Sequence, residues 1–142
     1  MDRKLSTLPP RIPVTRTQIE EVVKHFYARV RMDPVLGPLF NTILSNDPNI
    51  WRIHEAKIAN FWANAILHER SYDGNPMLVH SGISALDPDM FVNWLALFDQ
   101  TLSDELPANL ALQWSTLAHR IGRGLRFGVE NAQHSNGSPI LR

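Results

Sequence analysis

Residues 17–40 read TQIEEVVKHFYARVRMDPVLGPLF, and the fold follows from this stretch. Thr17-Gln18-Ile19-Glu20 has the form of a capping box: the Thr17 hydroxyl accepts from a first-turn amide and Glu20 reaches back to the cap. Ile19, Val22, Val23, Phe26, Tyr27 and Val30 then recur at three- and four-residue steps. That spacing predicts an amphipathic helix over about 18–31. Asp33-Pro34 ends it, because the residue before a proline avoids the helical region. Leu36 to Leu44, built around Gly37-Pro38, predicts a turn and a half-helix that carries Phe40.

Working outward, Asp47-Pro48 supplies an N-cap followed by proline at the first helical position. The helix it starts is expected to run to about Arg70, roughly 30 Å long. Tyr72-Asp73-Gly74-Asn75-Pro76 reads as a loop, and Met77 to Ile83 as a short helical piece. Asp87-Pro88 repeats the start signal, giving a helix to about Ser103. Pro107 opens the last helix, to about 130, with Leu110, Trp114, Leu117, Ala118, Ile121 and Leu125 on one side. No run alternates with period two, so the fold class is all-α. Four main helices with short links fit both a bundle and a crossed, globin-like arrangement. Residues 1–14, with Pro9, Pro10 and Pro13, are expected to form a flexible arm. Residues 131–142 are expected to form a disordered tail, leaving 15–130 as the domain.

Composition narrows the chemistry. The 142 residues suffice for one domain with a real core. There is no cysteine, which excludes disulfides, thiolate metal sites, iron–sulfur clusters and thiol nucleophiles. Fourteen basic and fourteen acidic side chains cancel, so the footprint of a nucleic-acid binder is missing. No apolar run is long enough for a membrane span, and no export signal is evident. The expected compartment is therefore the cytoplasm, without nucleic-acid or membrane partners. Four Trp and six His in so short a chain stand out.

Trp51, His54, Lys57, Ile58, Phe61 and Ala65 share one face of the helix after Pro48. Among such neighbours, His54 reads as a core histidine or as a functional one. His80 ends the apolar run Met77-Leu78-Val79, where it would cap helix carbonyls or bind a ligand. Tyr27 and Trp94 lie on apolar stripes, yet each carries a polar end that needs a partner when buried. No His-Glu-x-x-His, Glu-x-x-His, phosphate loop or Gly-x-Ser-x-Gly is present. His25, His68, His119 and His134 have no motif around them and are read as structural or solvent-facing. Two histidines on different helical elements, each set among aromatics, suit a flat apolar cofactor with a metal centre. Haem iron on a single proximal histidine is the obvious case. The competing reading is a non-haem helical interaction module with an aromatic groove.

The run from Phe26 to Phe40 closely resembles the second-helix-to-turn signature of the group III truncated haemoglobins. So do Trp51-x-x-His54 followed by Phe61-Trp62, Tyr72-x-Gly74-x-Pro76 leading to His80, and Phe91-x-x-Trp94-Leu95-x-Leu97-Phe98. The resemblance covers about residues 18–130. The glycine pairs of groups I and II are absent here, as they are in group III. Glu55 departs from the family, which more often has an apolar or basic residue after the histidine, and it is expected to be peripheral to the pocket.

The resemblance implies a two-over-two helical sandwich around one haem b per chain. His80 would be the proximal iron ligand and Phe40 would pack on the porphyrin. Tyr27, His54 and Trp94 would face the bound ligand. Lys57 is the candidate partner of a haem propionate, with Tyr72 and Arg70 weaker ones. Phe61, Trp62, Met77 and Phe91 would wall the haem. O₂, NO, CO and peroxide are the implied ligands. Tyr27 and Trp94, each donating to bound O₂, would slow its release by about one to two decades. That disfavours transport. Removal of nitric oxide or weak peroxidase-type turnover would need an external electron donor. The chain is expected to act as a monomer.

Overall fold

A computed structural model describes residues 8–45, 47–70, 72, 74 and 87–137. Among these residues every regular element is a helix: α1 (Arg16–Met32), α2 (Leu36–Ile43), α3 (Pro48–Leu67), α4 (Met90–Glu105) and α5 (Ala108–Gly137). The short helix expected over Met77 to Ile83 lies outside the described residues. No helix among the described residues is long and apolar enough to cross a membrane.

The capping box of α1 forms two residues earlier than expected. Thr15, not Thr17, is the N-cap: its Oγ1 accepts from the Gln18 amide at 3.1 Å, and the Gln18 side chain accepts from the Thr15 amide at 2.9 Å. Both registers satisfy the same four-residue pattern. The earlier one places Arg16 inside the helix, where it binds Glu20 at 2.9 Å, Asn60 at 2.6 Å and the buried Glu69 at 3.2 Å. Arg16 thereby ties the start of α1 to the far end of α3.

Asp33 closes α1 and starts α2, its carboxylate accepting from the amides of Val35 and Leu36. α2 then folds back so tightly that a Cβ at Gly37 would stand 2.9 Å from the Arg31 carbonyl oxygen. Asp47 caps α3 through the Asn49 amide, with Pro48 at its first position. α3 stops at Leu67 rather than near Arg70, because His68 turns left-handed (φ 62°) and its amide bonds back to the Ala63 carbonyl. α4 starts two residues after Pro88. Asp87 serves instead as a turn, its carboxylate accepting from Asp89 and its carbonyl from Met90. The Pro107 carbonyl begins α5 by accepting from Leu110 and Ala111.

Both ends differ from expectation. α5 continues to Gly137, past the end expected near 130. Polarity alone does not break a helix, and residues 131–133 (Asn, Ala, Gln) are all compatible with one. At the other end, Ile12 and Val14 are buried in the core. The Arg11 amide and guanidinium bond the Ile66 and Ala65 carbonyls at 2.7 and 3.2 Å. The part of the supposed arm from Arg11 onward therefore satisfies the open carbonyls at the end of α3, a standing need of every helix C-terminus.

α1 packs on α3 and α4 packs on α5. α1 also contacts α4, and α2 bridges α1 and α4. This is the two-over-two arrangement, and large aromatics cross between its layers. Phe98 of α4 lies flat between Trp94, at 5.4 Å, and Trp62 of α3, at 5.5 Å. Trp114 of α5 meets Trp62 and Phe98 edge-on.

Candidate ligand-binding site

Tyr27 sits in the last third of α1, on its apolar face and 2% exposed. Three elements converge on its ring. His54 of α3 lies at 5.0 Å and 85°, Phe40 of α2 at 5.9 Å, and Trp51 of α3 at 6.2 Å. Phe40 and His54 stand 6.0 Å apart, so the three expected residues share one small space. Trp94 of α4 and Tyr27 both meet the Phe26 ring edge-on, at 5.5 and 4.9 Å. An indole N–H can only donate, whereas a phenol can donate or accept.

Burial pushes the Tyr27 phenol far above its ordinary value. The Trp94 indole offsets part of this, and the negative charge of Glu55 adds to the rise. Tyr27 is therefore a neutral donor throughout the physiological range.

Glu55, expected to be peripheral to the pocket, is partly buried and paired. Its carboxylate is only 17% exposed and accepts from Arg31 at 3.1 Å. The Arg31 guanidinium in turn lies 5.1 Å from the Trp51 ring centre. Arg31 and Trp51 carry no site role in the sequence expectations. The signal was available in the spacing: Arg31 follows Tyr27 by one turn, and Glu55 follows Trp51 by one turn. Trp51 itself is held by its indole N–H, which donates to the Ser45 carbonyl at 2.9 Å.

The other expected residues that are described have contacts of their own. Phe61, one turn beyond Lys57, meets Tyr72 edge-on at 5.4 Å and Trp62 at 5.1 Å. Lys57 is exposed on α3. Trp62 points into the core against Phe98 and Trp114. Phe91 forms a second apolar cluster with Leu125 and Val129, flanked by Leu39 and Ile121. Met77 and His80 lie outside the described residues. Of the remaining histidines, His25 binds Glu105 at 2.8 Å and His119 binds Asp99 at 2.7 Å. Both join one helix to the next, the structural role expected of them.

The all-helical sandwich thus sets a phenol, an indole and an imidazole among aromatic rings. No family model matches the chain. It is 35% identical over 103 residues to "Group 3 truncated hemoglobin ctb" of Campylobacter jejuni, covering 70% of this chain and 81% of that protein. It also superposes on the crystal structure of the group III truncated hemoglobin from Campylobacter jejuni. The TM-score is 0.78 at 29% identity, covering 82% of this chain and 91% of that one. The chain belongs to the group III truncated haemoglobins.

Proposed function

We propose that this chain holds one haem b, with His80 as the proximal iron ligand, and binds O₂ and related small ligands tightly and releases them slowly. The donor set fits such a group. On the Tyr27 side the polar atoms are those of a phenol, an indole and an imidazole, enclosed by Phe40 and Trp51. Such a site is too poor in charge for a hydrated ion and well suited to a diatomic molecule carrying partial negative charge. Haem iron, when bound, supplies the electron-rich centre at which such a molecule gains that charge.

The observation that carries the reading is the Tyr27 phenol, 2% exposed and edge-on to His54 at 5.0 Å. Burial keeps it neutral, so it retains a hydrogen to donate. A donor held in place costs no reorganisation when a ligand arrives. Its bond to the ligand is worth about 0.5–1.5 kcal/mol net. His54, edge-on to Tyr27, contributes one N–H when neutral and acts as a second donor or as a gate. Lys57, exposed one turn along α3, would reach a haem propionate with its ammonium while its stem stays on the helix surface.

Absorbance of the purified protein tests the reading. An intense haem band that moves when CO is added after reduction is expected, and His80→Ala should lose it. A protein that stays colourless when supplied with haem would overturn the proposal in favour of an interaction module. Any turnover would draw electrons from a separate donor protein or small reductant.

A further inference from the structure

We propose that Glu55, held by Arg31 across the face of Trp51, is a residue that sets ligand-release rate: its charge weakens, and Arg31 restores, the hydrogen bond that Tyr27 offers. The inference rests on the function proposed above. It concerns a pair of side chains outside the ring of residues that would touch the ligand.

Four side chains form a square on two facing helices. Tyr27 and Arg31 are one turn apart on α1, and Trp51 and Glu55 are one turn apart on α3. The Tyr27 and Trp51 rings stand 6.2 Å apart, and the Arg31 guanidinium lies 5.1 Å from the Trp51 ring centre. The Arg31–Glu55 bond of 3.1 Å closes the fourth side. The carboxylate is the buried partner at 17% exposure, while the guanidinium at 42% reaches water. The negative charge is thus screened less by solvent than the positive one.

A negative charge beside a phenol does two things of the same sign. It makes the O–H less willing to part with its hydrogen, so the phenol is a poorer donor. It also raises the energy of any partial negative charge on the ligand. Glu55 lies one turn along α3 from the Trp51 ring that stands 6.2 Å from Tyr27, and from there its charge acts on the phenol with this sign. Arg31 opposes it. The other ionisable groups on the packed elements are engaged or distant in role. α2 carries none. Arg29 of α1 binds Asp104, while on α4 Glu105 binds His25 and Asp99 binds His119. On α3, His54 belongs to the site itself and Lys57 is exposed.

The two partners can be separated by opposite effects. Glu55→Gln removes the negative charge at constant shape. Arg31→Met leaves it uncompensated. Tyr27 and Tyr72 are the two tyrosines of the chain, so Tyr72→Phe leaves Tyr27 as the single reporter. Incorporating 3,5-difluorotyrosine lowers the phenol's titration into a range the fold tolerates, and 19F NMR of the purified full chain follows it. The Tyr27 midpoint should fall in Glu55→Gln, rise in Arg31→Met and lie between in the double variant.

With native Tyr72 and haem bound, O₂ release should slow in Glu55→Gln and quicken in Arg31→Met, each by roughly two- to fivefold. If the pair were only a mechanical clamp between α1 and α3, both variants would shift the midpoint and the release rate in the same direction. That result, or an unchanged midpoint in Glu55→Gln, overturns the proposal. Failure to take up haem would overturn the proposed function alone, because the Tyr27 titration is read without it.

Discussion

A phenol enclosed by four helices ionises only at great cost, and Tyr27 shows what that cost secures. Burial keeps it a neutral donor. The same burial makes a stability prediction with a definite sign. Above the ordinary phenol value of 10.0, unfolded chains release the Tyr27 proton while folded ones retain it. Stability contributed by Tyr27 is therefore complete below that pH and lost as pH rises beyond it. Denaturant midpoints of the wild type should fall more steeply above that value than those of Tyr27→Phe, and parallel curves would contradict the buried phenol. Trp94→Phe removes the indole donor but keeps an aromatic ring to stack on Phe98. O₂ release, by stopped-flow mixing, should then quicken about two- to tenfold as one hydrogen-bond donor is lost from the site.

At the scale of elements, the site depends on where helices stop as much as on where they run. α1 must end at Asp33 and α2 must turn back at once for Phe40 to reach Tyr27 and His54. Gly37 makes this turn feasible. A methyl there would meet the Arg31 and Val30 carbonyl oxygens at 2.9 and 3.2 Å, and these atoms belong to a helix end that has little room to yield. Gly37→Ala should destabilise the fold by about 1–3 kcal/mol in urea titration. It should also loosen Phe40 from His54. These limits were largely legible: Asp33-Pro34, Gly37-Pro38, Asp47-Pro48 and Pro107 punctuate the sequence where helices begin or end. What misled was redundancy. Thr15 and Thr17 both precede a capping-box partner, and only the tertiary position of Arg16 between Glu20, Asn60 and Glu69 selects the first. The end of α3 at His68 was hidden for a related reason, since left-handed histidine carries no mark of its own.

Across the whole molecule, the two helical layers are joined by rings. The Trp94–Phe98–Trp62 stack runs from the site to the core, and Phe26 meets both Trp94 and Phe98 edge-on. Truncating the middle of this stack should therefore damage stability and site together. Phe98→Ala is expected to cost about 3–5 kcal/mol. The Trp94 indole, stripped of its stacking partner, should also be held less firmly. Equilibrium unfolding would give the first effect and a faster O₂ release the second. A variant that lost stability but kept the wild-type release rate would mean that Trp94 is positioned by other contacts.

The sequence by itself determined that the chain is all-helical, where its helices are punctuated, and that Tyr27, Phe40, His54 and Trp94 are polar or aromatic residues on apolar faces. Those are consequences of local spacing and backbone preference, which neighbours along the chain dictate. Only the tertiary structure decided that Phe40, Trp51 and His54 meet on the Tyr27 ring and that Glu55 pairs with Arg31. Periodicity tells which face of a helix is buried, but not which side chain on the facing helix lies opposite. Hydrogen bonds and ion pairs between helices are settled by that opposition.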